Sequence, residues 1–110
     1  MPLEMSSSVD GNTARLSLAG ELDGASAPAV RDVVDGLLRG SPHRLLLLVE
    51  KLTFMASAGL RILIFAKQKQ PNLRIYVVRP QETVLDTLKK TGFYQSVYIV
   101  NSEAELNTTT

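Results

Sequence analysis

The hydroxyl of Ser57 is set among residues that suit it to covalent chemistry. It lies in Leu52-Thr53-Phe54-Met55-Ala56-Ser57-Ala58-Gly59-Leu60, between an apolar run that ends near Glu50 and a segment with helical periodicity. The small neighbours Ala56, Ala58 and Gly59 leave its oxygen open to a bulky active site. In a parallel α/β sheet, ligands and partners dock at the loop that follows a strand's C-terminal end. A helix that starts there offers free N–H groups and the positive end of its dipole, and both stabilise a phosphate. The position therefore suits phosphorylation. Plain architecture accounts for the same residues: serine is a preferred N-cap, and Ala58 and Gly59 allow a helix to pack closely. Residue types alone leave both readings open. Two further spans stand out, Leu18-Ala19-Gly20-Glu21-Leu22-Asp23 and Leu88-Lys89-Lys90-Thr91-Gly92-Phe93. Gly20 can end a strand, and Asp23 can cap the segment after it. Arg61 is one helical turn beyond Ser57; it reads as part of a solvated helix face, and from there it could also touch a phosphate or an acidic partner.

Most other chemistry is excluded. There is no cysteine, which removes disulfides, thiol nucleophiles and thiolate metal sites. The one histidine, His43, cannot form a multi-histidine metal site. It follows Gly40, Ser41 and Pro42 and reads as a loop-end residue, at the opposite end of a strand from Ser57. No GxGxxG or GxxxxGK[ST] loop cradles a nucleotide. An enzyme is therefore not expected, and neither a cofactor nor a metal.

These residues need elements to position them. Leu3, Met5 and Val9, then Ala14, Leu16 and Leu18, alternate with polar residues and predict two strands, each with one buried face. Asp10-Gly11-Asn12 between them is hairpin chemistry. Gly20 to Gly24 is expected to break the second strand. A helix comes next, capped by Ser26 with Pro28 in its first turn. Its inner face is Val30, Val33, Val34, Leu37 and Leu38. The continuous run Leu45–Val49 predicts a strand covered on both faces. A helix from Ser57 to about Lys69 presents Leu60, Leu63 and Ile64 inward. Leu73, Ile75, Val77 and Val78 make a strand. Val84, Leu85 and Leu88 mark a third helix ended by Gly92. Val97–Val100 is a last strand, and Ser102 caps a terminal helix through Leu106. The order β-β-α-β-α-β-α-β-α implies an α/β fold with a mixed, mostly parallel sheet and helices packed on it. The expectation is a single domain over 1–110, with its core at about 3–106 and a frayed tail at 107–110.

Composition agrees with that outline. The chain has 110 residues, 45% of them apolar, enough for an ordinary core. Twelve Lys and Arg against eleven Asp and Glu leave a formal charge of +1. That is no broad positive field for nucleic acid. No apolar run approaches the roughly 20 residues of a membrane span, and no secretory signal opens the chain. The expected location is the cytoplasm, with neither a nucleic-acid nor a membrane partner.

In this order, the three spans resemble the STAS domain family, the fold of anti-sigma factor antagonists and of sulfate-transporter tails. Gly20-Glu21-Leu22-Asp23 is similar to the signature after the family's second strand. Phe54-Met55-Ala56-Ser57-Ala58-Gly59-Leu60 is similar to its central Asp-Ser-Ser/Ala-Gly-Leu motif, and Leu88 to Phe93 to the turn after its third helix. The resemblance covers roughly Leu3 to Leu106. It implies an anti-sigma factor antagonist in which Ser57 is the phosphoacceptor. It also implies a partner that is both serine kinase and anti-sigma factor, of the histidine-kinase-like ATPase fold, and a metal-dependent serine phosphatase. Unmodified protein would bind the kinase, and phosphorylated protein would release it. Asp23, Glu21, Thr53, Met55, Ala56, Ala58, Gly59, Leu60 and Arg61 would form the partner-facing surface. Ala56 stands where the family carries an acidic residue, so the carboxylate that would orient the hydroxyl is absent. A constitutive interaction module without a switch is the alternative. The lack of a membrane segment, and a start at Met1, favour a stand-alone chain over a transporter tail.

Overall fold

A computed structural model of the chain describes residues 2–105. Its element order is β1 (Glu4–Asp10), β2 (Thr13–Leu22), α1 (Ala27–Leu38), β3 (Arg44–Met55), α2 (Ser57–Lys69), β4 (Arg74–Val78), α3 (Glu82–Lys90) and β5 (Tyr98–Val100). This is the order that the apolar periodicities predict. Short 3₁₀ turns lie at Phe93–Ser96 and Glu103–Glu105. The expected terminal helix is therefore a single tight turn. Its expected end at Leu106 and the tail at 107–110 lie outside the described residues.

The strands pair in sequence order, β1 antiparallel to β2 and all later pairs parallel. Right-handed crossovers that always step the same way place every helix on the same face of the sheet. Ala14, Leu16 and Leu18 of β2, Leu45, Leu47 and Val49 of β3, and Ile75 and Val77 of β4 all point to that face. There they pack against Val30, Val34, Leu63, Ala66, Val84 and Leu88. The reverse face holds a smaller cluster, Leu46, Tyr76, Val78 and Val100. This is why Leu45–Val49 is apolar without a break. The Glu103 carboxylate, 3.1 Å from both Nε and Nη2 of Arg15 on β2, ties the C-terminal turn across that reverse face.

Four local expectations need correction. In β1 only Met5 joins Leu3 against the core, and Val9 is 58% exposed on this edge strand of the sheet. Gly20 does not end β2. It sits inside the strand at φ 104°, where an added Cβ would lie 2.5 Å from the Pro2 carbonyl oxygen. Register shifts beside it carry β2 on to Leu22 and β3 on to Met55. In α2, Ile64 is 39% exposed, whereas Gly59, Ile62 and Ala66 are buried. The inner face runs through Ile62 with Leu60 and Leu63, and the small Gly59 and Ala66 between them let the helix sit close to the sheet. Ser26 precedes α1, yet its hydroxyl caps nothing in the helix.

Candidate functional site

β3 pairs with β4 only as far as Leu48–Val78, while its pairing with β2 continues to Leu22–Met55. The C-terminal ends of β2 and β3 therefore project as a two-stranded tongue. Its outer edge has backbone carbonyls with no strand beside them, which side chains or water must satisfy. Side chains from α3 and the loop before it supply donors. Gln81 Nε2 donates to the Glu50 carbonyl at 2.9 Å, Thr83 Oγ1 to that of Thr53 at 2.7 Å, and Thr87 Oγ1 to that of Met55 at 3.1 Å. Within the tongue, Thr53 Oγ1 donates to the Gly20 carbonyl at 3.0 Å.

The tongue's tip presents Ser57. The Ala56 N–H donates to the Leu22 carbonyl at 2.8 Å, which locks the strand ends together. Ala56 is extended and fills the N-cap position without a side-chain bond, and its carbonyl accepts from the Gly59 N–H at 2.9 Å. Ser57 is thus the first residue of α2 and not its cap, and it is exposed. Among the described residues, no side-chain hydrogen bond caps the positive end of this helix. Gly59 sets how closely the helix approaches the tongue, since an added Cβ would lie 2.8 Å from Leu22 Cδ2 and from Met55 Cγ.

Asp23 and Ser57 each lie one residue beyond the Leu22–Ala56 bond, so they share one edge. Asp23 Oδ1 accepts from the N–H groups of Ala25 (3.0 Å) and Ser26 (3.1 Å) and from Ser26 Oγ. The bond from the Ser26 N–H is the main reason that its carboxyl is held below the usual range, and Asp23 stays charged. Ser26 Oγ in turn accepts from the Asp23 N–H at 3.0 Å and lies 3.2 Å from the Glu21 carbonyl, which folds the β2–α1 turn back on the tongue.

The residues expected to face a partner divide into two sets. Thr53, Ser57 and Arg61 are exposed, and Glu21, Asp23, Ala56 and Ala58 are half-buried around them. Met55, Gly59 and Leu60 are buried. The side chains of Met55 and Leu60 hold the site from beneath, and Gly59 lets the helix approach them; none of the three faces outward. Sequence reasoning missed Phe54, which is 46% exposed on the tongue beside Glu21 in register. Its place two residues after the buried Leu52 would signal an inward side chain in a regular strand, and a register shift turns it outward. It also missed Gln81, Thr83 and Thr87, which look like ordinary surface residues until the unpaired edge of β3 is seen.

His43 is exposed at the start of β3, with its N–H on the Asn12 carbonyl, at the far end of the strand from Ser57. Among the described residues, no group of three or more His, Asp or Glu is gathered to hold a metal ion. No helix of the described residues is long and apolar enough to cross a membrane.

The model of the STAS domain matches residues 5–106. No curated protein matches the chain in sequence. Among solved structures, an anti-sigma factor antagonist from Mycobacterium paratuberculosis superposes with a TM-score of 0.85 at 20% identity, covering 98% of this chain and 93% of the other. The unphosphorylated form of the anti-sigma factor antagonist SpoIIAA gives 0.80 at 18%, over 98% and 96%. The phosphorylated form of SpoIIAA, a Bacillus cell fate determinant, gives 0.71 at 17%, over 99% and 100%. These likenesses establish a common fold.

Proposed function

The chain belongs to the STAS domain family, and we propose that it is an anti-sigma factor antagonist switched by phosphorylation of Ser57. The observation that carries this reading is the tip of the tongue. An exposed hydroxyl sits at the first position of a helix whose positive end has no side-chain cap among the described residues, beside the charged Asp23. That the same fold occurs in phosphorylated and unphosphorylated forms in SpoIIAA supports it.

In the unmodified state the tip docks on a serine kinase that is also the anti-sigma factor, of the histidine-kinase-like ATPase fold, in the cytoplasm. The kinase transfers the γ-phosphoryl group of ATP to Ser57 Oγ, which loses its proton, and ADP leaves. The product carries an added charge of about −1.5 to −2 at neutral pH. That takes the protein from +1 to net negative. A dianion now stands where the partner surface meets a neutral hydroxyl, and desolvation and repulsion release the partner. A metal-dependent phosphatase restores the hydroxyl. The protein acts as substrate and ligand.

Incubation with ATP and the cognate kinase, followed by mass spectrometric mapping, tests the assignment. Phosphate on Ser57 is expected, and phosphate only at other residues would overturn it. One observation favours the alternative of a constitutive module: Ala56 in place of an acidic residue. That reading requires Ser57→Glu to leave partner affinity unchanged.

A further inference from the structure

Beside the tip, an open groove of about 920 Å³ runs between the outer sides of α1 and α2. It is lined from Ala58 to Lys69 along α2, which at 1.5 Å per residue spans about 16 Å, or three helical turns. Its apolar surface centres on Ile64 and Phe65. Ile64 is exposed to 39%, and Phe65 is half-buried. The rim holds three cations and two carboxylates: the Arg31 guanidinium lies 4.4 Å from the centroid of the Phe65 ring and Lys69 Nζ 5.6 Å from it, Arg61 stands at the end nearest Ser57, and Asp32 and Asp35 lie between.

The balance of the rim charges points to a particular occupant. Of its two carboxylates, Asp35 is already engaged, 2.8 Å from Lys69 and 3.5 Å from Arg39, and Lys69 holds its carboxyl below the usual range. Asp32 is the other. Arg31 and Arg61 have no acidic partner among the described residues. Two arginines beside this apolar surface offer a matching site for carboxylates that flank an apolar stripe.

We infer that this groove docks a short amphipathic helix of a partner protein, with acidic residues on both sides of its apolar face. The groove is continuous with the phosphorylation site through Ala58 and Arg61. Resting on the reading of Ser57 as phosphoacceptor, this explains the reach of the switch. A phosphate one turn from Arg61 cancels the cationic end of the groove and repels the acidic helix.

The test needs no kinase, so its failure leaves the assignment of Ser57 standing. Equally, a failure of Ser57 to accept phosphate leaves the groove untouched. A lactam-stapled 12-residue helix with leucines at i, i+3, i+4 and i+7 flanked by glutamates is titrated into the ¹⁵N-labelled full chain. A second helix with lysines for the glutamates serves as the control. Saturable shifts at Arg31, Arg61, Ile64 and Phe65 are expected, with the glutamate helix binding at least about tenfold tighter than the lysine helix. Arg31→Glu with Arg61→Glu reverses that preference, and Ile64→Gln, at an exposed site, weakens binding several-fold without altering urea stability. Equal affinity for the two helices, or shifts elsewhere, would overturn the inference. So would shifts at the groove that depend on protein concentration alone, which mark a second copy as its occupant.

Discussion

Gly59→Ala sets two opposed effects against each other. Alanine is favoured over glycine in a helix interior by about 1 kcal/mol. Against that, the new methyl would lie 2.8 Å from Leu22 Cδ2, 2.8 Å from Met55 Cγ and 2.9 Å from Leu22 Cγ. Ordinary carbon contacts are about 3.5–4.0 Å, so close to 1 Å must be found in two directions at once. Leu22 and Met55 are buried and are not free to swing into solvent. Overpacking of this kind costs about 1–3 kcal/mol. The net effect is destabilisation by about 1 kcal/mol. Gly36→Ala is the internal control. Gly36 is in α1, exposed, and nothing lies within 4 Å of an added Cβ, so the helix gain stands alone at about 0.5–1 kcal/mol. The two variants therefore differ by about 2 kcal/mol. With a urea slope of about 1–3 kcal/mol per molar, their unfolding midpoints separate by roughly 1 M, on opposite sides of the parent chain. A Gly59→Ala midpoint that rises with that of Gly36→Ala, at unchanged slope, would refute the close packing of α2 on the tongue.

Thr87→Val keeps the shape of the side chain and removes the donor to the Met55 carbonyl, so it costs about 1 kcal/mol in urea unfolding and speeds amide exchange at Ala56 and Ser57. Thr83→Val costs less, because water reaches that exposed site. The carboxyl of Asp23 has a lower pKa folded than unfolded, so its contribution is complete above about pH 4 and is lost as the pH falls further. A pH titration of the Ser26 amide resonance tracks this loss, and in Asp23→Asn that resonance no longer moves with pH in the acid range.

The order of the elements is legible because each hides one apolar face with a clear period. Val30 and Val34 mark α1, Ala14, Leu16 and Leu18 mark β2, and the unbroken Leu45–Val49 marks a central strand. The start of α2 at Ser57 is legible for the same reason, together with the small residues around it. The tongue is not. Its strands pass through register shifts at Ser17/Ala19 and Gly20/Glu21, which disrupt the two-residue period on which strand reading depends. Gly20 signals a break by its type, yet its positive φ is what keeps the strand going close to Pro2. The brace from α3 is invisible for another reason. The donors Gln81, Thr83 and Thr87 have meaning only against carbonyls about thirty residues away in the chain. Motif alone puts Met55 and Leu60 on a partner surface, and burial removes their side chains from it.

The switch is tested most directly by calorimetry of the kinase/anti-sigma partner with three forms of the chain: unmodified, Ser57→Ala, and phosphorylated at Ser57. The unmodified chain and Ser57→Ala are expected to bind with equal affinity, and the phosphorylated chain at least about tenfold more weakly. Phosphorylated chain that binds as tightly as the unmodified one would contradict the account.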